Sequence, residues 1–381
     1  MAELLKHRYS KAYVEALAQT LAGVAPKFDA IGFTRAVLGN GWSQLELKQR
    51  MRRISATLHE FLPGSYRAQL AALSQVAPAF GGFEAMFFPD FVAEHGLDDF
   101  EASIAALERF TQYSSSEFAV RPFLVRHGER MLVEFVRWAT HPNEHVRRLA
   151  SEGARPRLPW AMALPQFKRD PRPLLPILEA LRDDPSEYVR RSVANHLKDI
   201  AKDHPGLVLE IAQRWLGTSA ATDRLVRHAC RTLLKRGDQR ALKLFGHHDD
   251  VAVGVTALKL SASEIPIGAD LAFSFRVRAA AKTSARVEYA VDFMKSDGRT
   301  RRKVFHVGVK ALDPAAPLTI TRTHRFRDFS TRKHYPGKHR IAVLVNGVER
   351  ARRVVKLVAP PATRRAAKKA RARGTGRPTR G

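Results

Sequence analysis

The sequence predicts two folded domains of different class: an all-α solenoid of HEAT-like repeats followed by an all-β sandwich of the immunoglobulin type. Three observations lead to this prediction. A helical pattern recurs within residues 1–250, polar and apolar side chains alternate within residues 251–360, and residues 361–381 form a basic, low-complexity tail that we expect to be disordered. A chain of 381 residues is long enough to bury a core in each domain.

The helical pattern of the first 250 residues is a repeat. Apolar side chains recur at spacings of three and four, as in 45–61 and 102–113, which is typical of amphipathic helices. Related segments cover residues 141–156, 184–199 and 222–237, and each follows an apolar helix predicted at 131–139, 174–181 and 207–216. Helix pairs with this period indicate a HEAT or armadillo solenoid, in which the second helix of each pair lines the concave side.

Residues 251–360 contain about seven short alternating segments that predict strands. Turn signals separate them, and Asn346-Gly347 is a strong signal for a two-residue β-hairpin. The chain has a single cysteine, Cys230, so the domain lacks the core cysteine pair of immunoglobulin domains and resembles their architecture only.

The charge of the chain points to a polyanionic partner. The formal net charge is +28, of which residues 251–360 carry +14 and the tail carries +8. Nucleic acid is the first candidate and an anionic membrane the second. No apolar run reaches 18 residues and the amino-terminal segment lacks a signal-peptide core, so we expect a cytoplasmic protein without a membrane partner.

Several classes of site are excluded by the sequence. One cysteine rules out an intramolecular disulfide and a cysteine-based metal centre. His141 and His145 are four residues apart, but the second repeat has Asp184 and Tyr188 at the matching positions, so we predict no metal site. Dinucleotide and P-loop fingerprints are also missing, so we expect no cofactor.

In each repeat, the second helix is predicted to have an apolar packing face and a polar row on another face. In the first repeat the packing face consists of Val146, Leu149, Ala150 and Gly153. The rows hold Arg148, Glu152 and Arg155 in the first repeat, Arg191, Asn195 and Lys198 with Asp199 beside them in the second, and His228, Thr232 and Lys235 in the third. Together they predict a basic concave surface with acids at two places.

The acids of this surface, Trp160 and Glu117 each allow a functional and a structural interpretation. Glu152 and Asp199 repel a phosphate, so they serve either catalysis on a cationic substrate or solvated ion pairs with neighbouring arginine and lysine. Trp160 follows two prolines and either stacks on a sugar or base or closes the repeat as a core residue. Glu117 follows three serines, which is typical of a helix N-terminus and would explain it without a function.

Three segments together resemble the AlkC-type DNA glycosylases of bacteria, which belong to the HEAT-like repeat glycosylase superfamily. They are EGARPRLPW (152–160), SSEFAVRPF (115–123) and VRRSVANHLKDIAKDHP (189–205). The similarity covers roughly residues 1–246, and the sandwich is similar to the immunoglobulin-like module of one AlkC subgroup. The resemblance implies base excision repair of DNA with cationic alkylated bases, notably N3-methylcytosine and N1-methyladenine, with N3-methyladenine as a third class. It also implies action without full base flipping, and the active-site residues Glu117, Arg148, Glu152, Trp160 and Asp199.

The roles that follow are expectations. Glu152 and Asp199 stabilise the oxocarbenium-like deoxyribose and position a water, with Glu117 in support. Trp160 packs against the sugar, and Arg148 holds a phosphate or orients a carboxylate. We expect a monomeric, monofunctional enzyme that acts on double-stranded DNA at the bacterial nucleoid, without a lyase step. The predicted DNA contacts are Arg155, Arg191, Lys198, His228, Lys235, Arg299, Arg301 and Arg302, and the sandwich is expected to clamp the DNA.

Two other functions remain open at this stage. A non-catalytic solenoid that binds damaged or bent DNA would need the same basic surface but would show no turnover. A scaffold for protein partners explains the repeats, but it does not explain the +22 carried by residues 251–381.

Overall fold

The computed structural model describes residues 5–247, 252–329 and 332–359. The chain divides into two compact units, Met1–Cys230 and Arg231–Gly381, and the predicted fold class is confirmed: the first unit is helical and the second is built on two β-sheets. The predicted disordered tail, 361–381, lies outside the described residues. Among the described helices, none has the length and apolar character that crossing a membrane requires.

Over its described residues, 5–230, the first unit contains thirteen α-helices joined by loops and short 3-10 turns. They are α1 (Lys11–Val24), α2 (Ala30–Val37), α3 (Leu47–Phe61), α4 (Tyr66–Val76), α5 (Phe87–His95), α6 (Phe100–Phe110), α7 (Val120–Trp138), α8 (Glu144–Gly153), α9 (Pro165–Arg169), α10 (Leu175–Leu181), α11 (Glu187–Ile200), α12 (Pro205–Trp215) and α13 (Ala220–Ala229). The predicted helix pairs are α7 with α8, α10 with α11, and α12 with α13. Helix α7 begins well before the predicted residue 131 because Gly128, with φ of 39°, joins two helical segments across a kink.

The second helices of the repeats pack side by side, α8 against α11 and α11 against α13. The predicted packing face of α8 is buried, including Val146, Leu149, Ala150 and Gly153. The shared arginine after each valine folds back on the loop before its own helix. Arg147 donates to the carbonyls of His141 (2.9 Å) and Pro142 (2.7 Å), and in the second repeat Arg190 donates to the matching loop. The repeated Val-Arg pair therefore fixes both the core contact and the loop geometry.

The third repeat departs from the prediction. One helix was expected over 222–237, but α13 ends at Ala229 and a separate helix α14 (Arg231–Arg236) belongs to the second unit. Helix α14 packs against a strand of the sandwich and against α15 (Gln239–Leu244), and this tertiary contact outweighs the local helical continuity. Lys235 is consequently not in one row with His228. The compact units also divide at Cys230, whereas we placed the domain boundary at residue 250.

The second unit contains eight described strands in two sheets. They are β1 (Val253–Leu260), β2 (Glu264–Pro266), β3 (Asp270–Ala279), β4 (Thr283–Met294), β5 (Thr300–Leu312), β6 (Leu318–Arg325), β7 (Gly337–Val345) and β8 (Val348–Val358). The sheet orders are β1-β3-β6 and β2-β8-β7-β4-β5, with β2 parallel to β8. Alternate residues of β3, β4 and β7 form the core between them, among them Phe273, Phe275, Val287 and Val343.

The predicted hairpin at Asn346-Gly347 is confirmed. These two residues join β7 to β8 with φ of 48° and 77°, and two positive φ values are what a type I′ turn requires. The structure has one strand more than the approximate seven of the prediction. The short strand β2 was hidden because its three residues are too few to show alternation.

Candidate active site

Three carboxylates, two from helices and one from a turn, lie in one row in the first unit. Glu152 lies in the last turn of α8, Asp199 in the last turn of α11, and Glu117 in the turn just before α7. The carbonyl end of a helix carries a partial negative charge, which disfavours a carboxylate there. Glu152 and Asp199 therefore need compensating cations. We call Glu117, Glu152 and Asp199 the carboxylate row.

Two arginines link the carboxylate row from end to end. Arg148 Nη1 is 2.8 Å from Glu117 Oε2, and Arg148 Nη2 is 3.6 Å from Glu152 Oε1. Arg155 Nη1 is 2.6 Å from Glu152 Oε1, and its Nη2 is 2.8 Å from Asp199 Oδ2. Acid and base thus alternate, and all the predicted catalytic residues except Trp160 belong to this one network.

The three carboxylates differ in how many of their oxygens have a hydrogen-bond or ion-pair partner. Ser192 Oγ donates to Glu152 Oε2 (2.6 Å), and Lys202 Nζ donates to Asp199 Oδ1 (2.9 Å). Ser115 Oγ donates to Glu117 Oε2 (2.9 Å), but Glu117 Oε1 has no hydrogen bond with any residue in 5–247, 252–329 or 332–359. Of the three carboxylates, Glu117 is the one with an oxygen free to meet a substrate or a water.

Burial separates the three carboxylates in the same way. The Glu117 side chain is 16% exposed, Glu152 8% and Asp199 2%. Burial acts to lower the pKa of Arg148 and Arg155, but their carboxylate neighbours outweigh it, so the pKa of each arginine lies above its ordinary value. Both arginines therefore stay protonated. Glu152 and Asp199 do form ion pairs, as one of the two interpretations predicted, but these pairs are buried and not solvated.

An open cleft of about 470 Å³ adjoins Glu117. Glu117 and Arg148 line it together with Phe83, Met86 and Tyr188, whereas Glu152 and Asp199 are not among its lining residues. The Arg148 guanidinium stands 4.8 Å from the centre of the Tyr188 ring, a cation–π contact that fixes its position. The cleft thus presents aromatic faces, one free carboxylate oxygen and one guanidinium.

Trp160 is exposed, so the alternative of a core tryptophan is wrong. Its side chain is 63% exposed, and its ring meets Phe83, a lining residue of the cleft, edge to face at 6.2 Å between centroids. Its φ of 65° lies in the left-handed region that large side chains rarely adopt. The stacking interpretation remains a prediction that this exposure supports.

The helix-cap explanation of Glu117 is also wrong. No serine side chain caps α7, whose N-cap position is Ala119. Ser114 Oγ donates to the Gly82 carbonyl (2.7 Å) and Ser116 Oγ to the Leu107 carbonyl (2.9 Å). The serines instead hold the turn that carries Glu117 against the loop at Gly82 and against α6.

The structure corrects the DNA-contact prediction for Arg155. Its side chain is 8% exposed, and its guanidinium is held between Glu152 and Asp199, so it is not available to a phosphate. Helix α8 ends at Gly153, and the chain beyond it turns Arg155 inward.

The other predicted DNA contacts are spread over both units. In the first unit Arg191 is exposed and pairs with Glu187 (3.0 Å), Lys198 Nζ donates to Asn195 Oδ1 (2.7 Å), and His228 is half-buried on α13. In the second unit Lys235 is half-buried on α14, Arg299 pairs with Asp297 (2.7 Å), Arg301 is exposed, and Arg302 pairs with Asp292 (2.7 Å) and Glu349 (2.8 Å). Their contact with DNA remains a prediction.

Sequence reasoning missed Ser192, Lys202, Tyr188, Lys48 and Arg121. Ser192 left a signal, because it stands where the first repeat has the buried Leu149, and a polar side chain on a packing face needs a partner. Within the described residues no group of three or more histidine, cysteine, aspartate or glutamate side chains could hold a metal ion.

Comparisons with known proteins agree with this architecture. Residues 90–236 match the family model "DNA alkylation repair enzyme", and residues 254–359 match the model of the YhaZ C-terminal Ig-like domain. The chain is 45% identical over 343 residues to the uncharacterized protein YhaZ of Bacillus subtilis, covering 90% of this chain and 96% of that protein. The solved structure of Pseudomonas fluorescens alkylpurine DNA glycosylase AlkC, bound to DNA containing an abasic site analog, is similar with 40% identity and a TM-score of 0.90. That match covers 94% of this chain and all of the other. The chain therefore belongs to the AlkC family of DNA-alkylation-repair glycosylases, in the form that carries a C-terminal immunoglobulin-like domain.

Proposed function

We propose that this protein, acting as a monomer, hydrolyses the N-glycosidic bond of cationic alkylated bases in duplex DNA and leaves an abasic site. The substrates are N3-methylcytosine and N1-methyladenine, with N3-methyladenine as a third candidate. The observation that carries the proposal is the carboxylate row beside the exposed Trp160, in a chain of net charge +28. An acid at the cleft and two more linked to it through arginines oppose phosphate binding, so their presence there favours a cationic reaction centre.

A cationic base makes this reaction feasible without a general acid. When the C1′–N bond breaks, its electron pair returns to the ring, and the methylated base leaves as a neutral molecule. The positive charge passes to the deoxyribose, where an oxocarbenium-like transition state forms. A water then adds to C1′ and gives up a proton to a carboxylate. The enzyme must therefore supply negative charge at the sugar and a proton acceptor, and carboxylates supply both.

The placement of the three carboxylates revises the expected division of roles. We expected Glu152 and Asp199 to act on the sugar with Glu117 in support. Glu117 has the free oxygen at the cleft, so we propose that it faces the deoxyribose and accepts the proton of the water. Glu152 and Asp199 act from more buried positions, where low solvent exposure strengthens their field. Each carboxylate oxygen of Glu152 and Asp199 already has a partner within the protein, so neither residue has an oxygen free for a water.

Trp160 and Arg148 would hold the DNA at this row. The indole face carries negative electrostatic potential and can pack against a sugar on which positive charge develops. The cleft is open to solvent rather than an enclosed cavity, which supports excision without full base flipping. Arg148 lies at the cleft and can meet a phosphate while it orients Glu117.

The test uses a duplex oligonucleotide with one N3-methylcytosine, incubated without added metal or cofactor and then treated with alkali. We expect strand scission at the lesion, and a loss of about 10²- to 10³-fold in the single-turnover rate for each of Glu117→Gln, Glu152→Gln and Asp199→Asn. Asp170→Asn, in an exposed pair with Arg172, is the matched control and should keep the full rate.

The second candidate, a non-catalytic protein that binds damaged DNA, predicts the opposite result. It would give no scission with N3-methylcytosine, N1-methyladenine or N3-methyladenine, so the three carboxylate substitutions would have no turnover to remove. That outcome would contradict the proposed hydrolysis. In the enzyme, the same substitutions lower turnover while DNA affinity is kept or increased.

A further inference from the structure

The segment that carries Trp160 is held in an unusual conformation. We call residues 154–164, between α8 and α9, the Trp160 loop. Its tip has the positive φ at Trp160, and the exposed indole gains little from burial. Large residues in this backbone region cost energy, and they persist only where surrounding contacts fix the chain. Some of the contacts that fix this loop lie within it or at its own arginines, such as the hydrogen bond from the Leu164 N–H to the Pro156 carbonyl and the pair of Arg157 with Asp203. Others come from two cations outside it.

Arg121 fixes both ends of the loop from α7. Its side chain is fully buried, and its Nη1 donates to the carbonyls of Gly153 (2.8 Å) and Arg155 (2.9 Å) while its Nε donates to that of Met162 (2.8 Å). Burial, followed by the neighbouring Arg155, lowers the pKa of Arg121 to about 10, so the side chain still carries its charge at neutral pH.

Lys48 fixes the tip of the loop from α3. Its Nζ donates to the Trp160 carbonyl (2.9 Å), at the residue with the positive φ. The same ammonium group lies 5.3 Å from the centre of the Phe118 ring, next in sequence to Glu117. Lys48 therefore joins the turn of the free carboxylate to the tip of the Trp160 loop.

We infer that Lys48 and Arg121 are positioning residues for base excision, which hold the Trp160 loop so that the indole stands at the cleft beside Glu117. Neither needs to touch the DNA. The kinetic part of this inference rests on the proposed function, but the conformational part does not. Lys48 could instead contact a DNA phosphate directly, and the experiment distinguishes that role from the positioning role.

The experiment compares Lys48→Met in the full chain with Lys48→Met in a Trp160→Ala background. Losing one hydrogen bond of ordinary strength at the loop tip should lower the single-turnover rate about three- to tenfold, without a change in KM. If Lys48 acts through Trp160, the same substitution should cost nothing further in the Trp160→Ala background. Lys27→Met, at an exposed lysine, is the matched control for the loss of one charge and should have no effect.

A readout without catalysis accompanies these rates. The emission of Trp160 is obtained as the difference between each protein and its Trp160→Phe counterpart, and its quenching by acrylamide is compared. We expect Lys48→Met and Arg121→Lys to shift this difference spectrum and alter its quenching, while Lys27→Met leaves both unchanged. Arg121→Lys keeps a charge in the buried position, and Lys48→Met tests the inference even if the Arg121 variant does not fold.

The outcomes distinguish this inference from the proposed function. An unchanged Trp160 spectrum in Lys48→Met would overturn the positioning role, whatever the activity. An equal loss of rate in the presence and absence of Trp160, together with a shallower salt dependence of DNA affinity, would also overturn it and indicate a phosphate contact. Absence of all excision by the parent protein would contradict the proposed function alone, since the spectral comparison stands without turnover.

Discussion

Glu152 is the most connected carboxylate of the site, since Arg148, Arg155 and Ser192 all contact it. The motif suggested this residue from sequence, but the direction of Arg155 could not be read there. In sequence Arg155 seemed to extend the row of Arg148 by one helical turn. Because α8 ends at Gly153, the guanidinium turns back to bridge two buried acids. The residue at which a helix ends depends on tertiary contacts, so nothing in the local sequence indicated that Arg155 would be buried.

The bridging position predicts a large effect of removing Arg155. In Arg155→Met, Glu152 loses its shortest ion pair and Asp199 keeps only Lys202, so two buried charges are left poorly compensated. Breaking a buried pair on one side costs about 3–5 kcal/mol of the free energy of unfolding. Arg157→Met, which breaks a half-exposed pair with Asp203, should cost about 0–1 kcal/mol.

Urea denaturation followed by tryptophan fluorescence measures this difference in the first unit, because all four tryptophans of the chain lie within residues 1–230. Equal costs for Arg155→Met and Arg157→Met would contradict the buried bridge. Equal costs would instead indicate that Arg155 is a surface residue that can contact DNA.

At the scale of elements, the contact of α8 with α7 sets the distance between Glu152 and the turn of Glu117. Gly153 makes this close contact possible, since a Cβ at that position would lie 2.5 Å from Val120 Cγ2. Val120 is fully buried at the first residue of α7 and has a branched side chain, so it cannot give way cheaply. The glycine of the EGARPRLPW motif therefore has a packing role beside the carboxylate row.

Gly153→Ala should accordingly destabilise the first unit by about 1–3 kcal/mol through overpacking. Gly23→Ala is the matched control, because Gly23 lies in α1 and its added Cβ would meet nothing within 4 Å. Alanine is the better helix former there, so Gly23→Ala should be neutral or stabilise by up to about 1 kcal/mol. The measurement is again the urea midpoint by tryptophan fluorescence. A stable Gly153→Ala protein would show that α7 and α8 can separate freely.

The elements also show which structure could be predicted from sequence. The second helices of the first two repeats were predictable because the Val-Arg signature serves both the core and the loop, as Val146 and Arg147 show. The break after α13 was not predictable. Residues 222–237 have helical periodicity throughout, but His228 lies on α13, and Lys235 lies on α14, which packs on a strand of the sandwich. The turn at Asn346-Gly347 was predictable because its φ values depend on those two residues alone.

At the scale of the whole molecule, positive charge is concentrated in the later part of the sequence. Residues 251–360 carry 22 basic and 8 acidic residues, while residues 1–250 have a net charge of only +6. We predicted that the sandwich holds DNA through this excess. Cutting the chain at residue 250 would be a poor test, because α14 and α15 belong to the second unit and would lose the sheet that they pack against. Substitutions within the intact chain avoid this problem.

Arg299, Arg301 and Arg302 allow such a test within one hairpin of the sandwich. Arg301 is exposed and makes no ion pair with any residue of the described ranges, and Arg299 pairs only with the exposed Asp297. Arg302 instead bonds to the buried Asp292 and to Glu349, so its charge is already compensated within the fold. Of these three predicted contacts, we therefore expect Arg299 and Arg301 to meet phosphates and Arg302 to stabilise the sheet.

The double variant Arg299→Gln/Arg301→Gln should bind duplex DNA more weakly, and the slope of log affinity against log salt should be shallower by about 2, since each lost phosphate contact removes about one released counterion. Arg302→Gln should keep the parent slope but unfold the second unit at lower temperature, because Asp292 then retains only Arg340 as a charged partner. Binding titrations at several salt concentrations, with thermal unfolding followed in parallel, measure both effects. If the double variant keeps the parent slope, the DNA contacts of the sandwich do not include this hairpin. If Arg302→Gln instead changes the slope, its pairing with Asp292 opens when DNA binds.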